Sequence, residues 1–233
     1  MRKLLGILGG MGPQATVRFY DLVVRESIQR AKGPMRNADF PHMLINNIPV
    51  PDLVKSTDDE EQTVRMIEAE TRRLADAGCT HLAMPCNTMH LYADRIRRAS
   101  GGLPFISMID AVVERLSRDK VRSVALLGSL TTMKSALYTE PLSAAGIRVD
   151  IPDATDRETI GELIHAAIAG KIEQAHSRAF RDIVKRLGAK ADAVLLGCTE
   201  LPILAEKCCI PESVRIVDSP AILARACSEV IAK

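Results

Sequence analysis

A chain of 233 residues, 47% of them hydrophobic, can bury enough apolar surface to fold without a disulfide or metal, and its length suits two small domains. Basic residues (31) barely outnumber acidic ones (29), aromatics are 3%, and no basic tract occurs, which argues against nucleic acid as a partner. No stretch has the length of a membrane span, and the six cysteines include no C-x-x-C pair, so neither a zinc site nor a thioredoxin-like motif is expected.

Met1-Arg2-Lys3 before Leu4–Leu8 imitates a signal peptide, but glycines 6, 9 and 10 break the apolar run and no small-residue cleavage site follows. A first strand over Lys3–Leu8 accounts for it, and a cytoplasmic protein with reduced thiols is the expectation. The turn Gly9-Gly10-Met11-Gly12-Pro13 places proline for the first turn of a helix, and Val17, Tyr20, Val24 and Ile28 keep helical spacing to Arg30. A strand is predicted over Met43–Ile48, ending in Pro49-Val50-Pro51-Asp52. Glu60–Ala77 predicts a long amphipathic helix closed by Gly78, and Thr80–Met84 a third strand that delivers Cys86. Helices follow over Leu91–Ala99 and Asp110–Leu116, with a short strand over Pro104–Ile106 between them.

The pattern then restarts. Ser123–Ser129 repeats the strand and glycine turn, Thr131–Ala144 predicts one helix, and Ile147–Ile151 a strand. Helices over Arg157–Ala169 and Glu173–Leu187 meet near Gly170, Ala193–Leu196 delivers Cys198, and Val214–Val217 and Ala221–Ile231 close the chain as strand and helix. Strands alternating with helices predict parallel sheets with helices on both faces. From Gly10 to Cys86 is 76 residues and from Gly128 to Cys198 is 70, with the same order of elements in both intervals. Two pseudo-symmetric α/β domains are therefore expected, 1–100 and 101–211, with 212–233 packing back on the first and the active site in the cleft between them.

The turn Gly10-Met11-Gly12-Pro13-Gln14-Ala15 matches the dinucleotide fingerprint G-x-G-x-x-A, but the second strand ends in Asn46-Asn47-Ile48, without the carboxylate that holds a ribose. An anion cradle at a helix N-terminus is the favoured reading of that turn. Cysteines 79, 208, 209 and 227 read as small hydrophobes at helix ends or in loops. Cys86, in Met84-Pro85-Cys86-Asn87-Thr88-Met89-His90, and Cys198, in Leu196-Gly197-Cys198-Thr199-Glu200, stand instead where a strand meets a helix. Thiols at helix N-termini gain thiolate character. One such thiolate suggests a nucleophile, with His90 four residues away as a potential relay. Two matched thiols suggest proton transfer by two bases on opposite faces of one carbon. Two structural cysteines are the third reading.

The blocks Gly9-Gly10-Met11-Gly12-Pro13, Pro85-Cys86-Asn87-Thr88-Met89-His90 and Gly197-Cys198-Thr199-Glu200-Leu201 resemble the signature blocks of the aspartate/glutamate racemase family, in order and along the whole chain. Glu200 stands where glutamate racemases carry histidine, and the opening glycines replace their Asp-Ser block, so the resemblance is to the aspartate-racemase branch. It implies a cofactor-independent enzyme, with no metal, and a homodimer, with Cys86 and Cys198 as the two bases. By the same resemblance, Asn87, Thr88 and Thr199 hold the substrate's carboxylate and amino groups, Met11 touches it from the glycine turn, and Glu200 lies in the site. Many relatives read Pro-Asp-Arg-Thr after the second strand, where this chain has Pro51-Asp52-Leu53-Val54-Lys55. Leu53 cannot pair with a carboxylate, which leaves Lys55 as a stand-in that is not equivalent to arginine. Lys171 is the nearest match to a family lysine. The expected substrate is a small amino acid, aspartate or glutamate. The alternatives are a cis–trans isomerase or decarboxylase of dicarboxylates in the same superfamily and a non-catalytic carboxylate-binding module; a nicotinamide oxidoreductase ranks last.

Overall fold

The computed structural model describes residues 3–51 and 59–231. The chain runs β1 (Leu4–Gly9), α1 (Pro13–Arg30), β2 (His42–Asn47), α2 (Glu60–Asp76), β3 (His81–Ala83), α3 (Ala93–Ala99), β4 (Phe105–Ile106) and α4 (Met108–Arg118). It continues through β5 (Ser123–Gly128), α5 (Leu130–Lys134), α6 (Thr139–Ala144), β6 (Arg148–Asp150), α7 (Ala154–Ile168) and α8 (Gln174–Gly188). The last elements are β7 (Ala193–Gly197), α9 (Glu200–Ala205), β8 (Ile216–Asp218) and α10 (Ser219–Ile231). Two four-stranded sheets result, ordered β2-β1-β3-β4 and β6-β5-β7-β8, and every pairing in them is parallel. Among the described residues no helix is long and apolar enough to cross a membrane.

Both sheets start from a central strand, turn outward to one edge and then cross back to the other side. The switch point of each therefore lies between the first and third strands, β1 and β3 in one sheet and β5 and β7 in the other. Crevices at such points, beyond the carboxyl ends of the strands, are where open α/β sheets take ligands. The central strands are apolar runs because both faces are covered. Leu5, Ile7 and Leu8 of β1 and Val194, Leu195 and Leu196 of β7 are fully buried, each contributing roughly 1.5–3 kcal/mol of burial.

The registers make the internal duplication explicit. Ile7 lies opposite Ala83 and Leu126 opposite Leu195, so Cys86 and Cys198 are equivalent positions, each three residues beyond its paired strand residue. The same registers align Gly9, rather than Gly10, with Gly128. They also make Ile106 the equivalent of Val217, and hence Met108, the first residue of α4, the equivalent of Ser219, the first of α10.

By its contacts the chain divides into two compact units, one holding 3–51, 59–111 and 220–231 and the other 112–219. These borders differ from the expected 100/101 and 211/212. β4 pairs with β3, which keeps it in the first sheet, and β8 pairs with β7, which keeps it in the second. The helix expected over 131–144 is two helices. Pro141 has no N–H and its ring would clash with the carbonyl four residues back, so it is tolerated only in a first turn. The chain accordingly stops at Lys134, where Ser135 Oγ donates to Thr132 O at 3.0 Å, and restarts at Thr139. Tyr138, fully buried, fills the break.

The glycine turn after β1 is packed against its own chain. A Cβ on Gly9 would lie 2.5 Å from Thr16 Cγ2, and one on Gly10 only 2.4 Å from the Ile48 nitrogen. The Gly10 N–H, expected to face an anion, donates to Thr16 Oγ1 at 2.8 Å, which itself donates to Gly12 O at 3.0 Å. Gly9 admits the Thr16 side chain and Gly10 the Ile48 backbone, both requirements of close packing. Gly10→Ala should cost about 3 kcal/mol or more, since φ is +92° and the clash is with backbone. Gly146→Ala, at φ +75° with nothing within 4 Å, should cost only about 1 kcal/mol. Thermal unfolding of the two variants checks this: equal losses would mean that the contact with Ile48 carries no weight.

Candidate active site

After β3 the chain passes through Met84-Pro85-Cys86, where the Cys86 N–H donates to Met84 O at 2.9 Å. A five-residue 3₁₀ turn, Thr88–Tyr92, follows directly, and the α-helix expected from Leu91 begins at Ala93. So short a turn carries little macrodipole, and the thiolate-favouring field expected from a helix N-terminus is correspondingly small here. Cys86 is 7% exposed, and Asn87, Thr88 and His90 are buried with it.

His90 is the residue on which the expectation changes most. Its Nδ1 lies 2.7 Å from Cys86 O, and its Nε2 accepts the Met108 N–H at 3.0 Å. A ring nitrogen that accepts an N–H carries no proton, so the proton sits on Nδ1 and is donated to the Cys86 carbonyl. Desolvation by burial lowers its pKa to about 4. With both nitrogens engaged on backbone, His90 is no relay for the Cys86 thiol.

The second turn is built differently. Cys198 follows β7 and is also 7% exposed, with Thr199 and Glu200 buried beside it. The Cys198 thiol donates to Glu200 Oε2 at 3.1 Å, and Thr199 Oγ1 donates to the same oxygen at 2.9 Å. Glu200 opens α9, a helix of six residues. The thiol is thereby directed at a buried carboxylate that can accept its proton. Sequence reasoning placed Glu200 in the site but not on the thiol. Two-residue spacing from a cysteine does not reveal which way a carboxylate turns.

Behind Cys198, Ser219 Oγ donates to Leu196 O at 2.7 Å and also hydrogen-bonds Tyr138, whose phenol burial pushes upward. None of these contacts was read from the sequence. Gly128 and Gly197 are paired across β5 and β7, and a Cβ on Gly128 would lie 2.9 Å from Gly197 O, so a side chain there would push the strand ends apart.

Met11 is half-buried in the glycine turn, within the unit that carries Cys86. Lys171 is exposed in the turn between α7 and α8, its N–H donating to Ala166 O at 2.8 Å. Leu53 and Lys55 lie outside the described residues. No cysteine is in a disulfide. Burial raises the thiol pKa of Cys79, Cys208 and Cys227; Cys79 and Cys227 are buried packing, whereas Cys208 is half-buried and Cys209, expected to pack, is exposed. Among the described residues no group of three or more His, Cys, Asp and Glu is placed to hold a metal ion, and the packed glycine turn offers Gly10 no opening for a pyrophosphate.

The chain is 29% identical to the broad specificity amino-acid racemase RacX of Bacillus subtilis over 224 residues, 96% of each chain. Among solved structures, an aspartate racemase homologue from Pyrococcus horikoshii superposes with a TM-score of 0.79 at 27% identity over 100% of both chains. The aspartate racemase of Picrophilus torridus gives 0.79 at 27% identity over 98% of this chain and 94% of that one. The family model of Asp/Glu/hydantoin racemases matches residues 8–227, a span that includes both cysteine turns, and the chain belongs to that family.

Proposed function

We propose that this protein is a cofactor-independent amino-acid racemase in which Cys86 and Cys198 act as the two bases at Cα. The observation that carries this reading is the register equivalence of the two thiols, each beyond the third strand of a sheet at its switch point. Duplicated structural cysteines would have no reason to share that position, with buried polar residues following each.

One thiolate removes the Cα proton, its sulfur gaining the S–H bond while the C–H electron pair passes into the substrate carboxylate. The opposite thiol then delivers its proton to the other face and is left as thiolate, so each turnover exchanges the roles of the two sulfurs. The Cα–H of an amino acid is far less acidic than a thiol, so charge developing on the carboxylate needs preorganised donors. Asn87, Thr88 and Thr199 are the candidates for that task, already buried. Glu200 serves the Cys198 sulfur, holding the thiol proton in place and taking it when that cysteine must start as a base. Aspartate and glutamate are the first substrates to test. The resemblance of the whole chain to a racemase named for broad specificity, together with leucine at position 53, makes a wider amino-acid panel necessary. A homodimer belongs to the same reading, supported by exposed Val17, Tyr20 and Ile28 along α1.

Proton NMR of the enzyme in D2O with single L-amino acids and no pyridoxal phosphate tests this directly, and light scattering of the same sample gives its oligomeric mass. Loss of the Cα–H signal with appearance of the D-enantiomer on a chiral column is the expected result. No exchange with any amino acid would overturn it and leave a dicarboxylate isomerase or a binding module.

A further inference from the structure

The equivalent positions Met108 and Ser219, each opening the helix after the fourth strand of its sheet, are tied to the cysteine turns by different atoms. In the second unit the link is Ser219 Oγ to Leu196 O, two residues before Cys198. In the first it is an imidazole, reaching from the Met108 N–H to the carbonyl of Cys86 itself. The two halves share a fold, and the brace behind each thiol is particular to its half.

We propose that His90 is the positioning residue for Cys86, a neutral Nδ1–H tautomer that fixes the turn carrying this thiol against the start of α4 and takes no part in proton transfer. The ring bridges two backbone groups whose rotation would swing the cysteine. The Met108 N–H is among the first donors of α4, which no intrahelical carbonyl can satisfy, and His90 Nε2 meets it. Cys86 O receives the Nδ1 proton. His90 is 4% exposed, packed against Phe105 of β4 with ring centroids 5.4 Å apart and the rings tilted by 35°. The charged groups that bear on it, Asp110 and Arg97, act in opposite senses, and burial outweighs both. A side chain that only filled space here would need neither nitrogen; a base for Cys86 would need one of them on sulfur.

The kinetic consequence rests on the two-thiol reading, but two of the three measurements do not. In the wild-type protein, ¹⁵N NMR of the histidines should show His90 protonated on Nδ1 and not titrating between pH 5 and 9. A titration midpoint near 6.5, or an Nε2-protonated ring, would overturn the proposal without any variant having to fold. Alkylation by iodoacetamide, followed by peptide mapping, reads each thiol separately. His90→Leu should change the Cys86 rate by about fivefold or more and leave Cys198 within twofold; equal rates at Cys86 in variant and wild type would overturn it.

In the racemase assay, His90→Leu should lower kcat by roughly tenfold to a hundredfold, the scale of a misplaced reacting group, with the midpoints of the pH profile unmoved. His90→Gln, which keeps one donor and one acceptor, should recover most of the loss. A displaced acid limb would make His90 a base instead. A lower Tm with full activity per folded molecule would make it a core residue only. Should the wild-type enzyme racemise nothing, the functional reading fails, and the NMR and alkylation results still decide the brace.

Discussion

Cys86→Ala and Cys198→Ala should each lower racemisation by at least about 10³-fold, the scale of losing a positioned acid or base together with the step that depends on it. The double variant should be scarcely worse than either single one, because the two thiols act as a unit and removing one idles the other. The fold should survive. Each change deletes one buried sulfur, and the surrounding β1–β3 and β5–β7 pairings contain no contact that needs it. The more telling readout is hydrogen exchange. With Cys86 gone, Cys198 can still take a proton from one enantiomer and return deuterium to the same face. That variant should therefore exchange Cα–H of one enantiomer in D2O without inverting it, and the Cys198 variant should do the same with the other enantiomer. The pair of results would assign each cysteine to its face. A single variant that still interconverts enantiomers near the wild-type rate would remove that cysteine from the mechanism.

The strands were legible because parallel strands buried on both faces read as apolar runs, and because the chain repeats its strand, glycine turn and cysteine; their order within each sheet was not. The break in the helix after Gly128 was missed: Pro141 rules out a continuous helix, but periodicity passes over a residue whose effect is a missing N–H. The borders at 111/112 and 219/220 were not legible. Both fall within the first turns of helices, at 108–111 and 219–220, where composition does not change, and strand pairing alone decides them. For the candidate site, the two turns could be found from residue types at a strand end, whereas the partners within them could not. His90 stands four residues from Cys86, the spacing of a plausible relay, and its ring is claimed by the carbonyl of Cys86 and by a backbone N–H 18 residues on. Only the packing of β4 and α4 beside β3 brings that donor within reach. Likewise the glycine turn looks open in sequence and is filled by Thr16 and by the backbone of Ile48, a contact set by β2.

Glu200→Gln should lower kcat by about 10²-fold, within the range for a single proton-transfer partner, with KM changing by no more than about threefold. Glutamine keeps the length and one carbonyl acceptor for Cys198 and Thr199, so the turn should keep its shape; what is lost is the negative charge. That charge now holds the Cys198 proton on sulfur and opposes the thiolate. Its removal should therefore make Cys198 alkylate faster near neutral pH, while the rate at Cys86, in the other unit, stays unchanged. The combination is diagnostic, because faster alkylation with slower turnover means that the thiolate forms more readily but no longer has a group with which to trade its proton. If Glu200 instead held the substrate's amino group, KM would rise steeply and kcat would change little. Slower alkylation of Cys198 would mean that the carboxylate acts as the base that generates the thiolate at rest. Glu200→Asp separates charge from reach: it retains the carboxylate but draws it back by one methylene, so its turnover should fall between wild type and glutamine if proton trading over 3.1 Å is what Glu200 contributes.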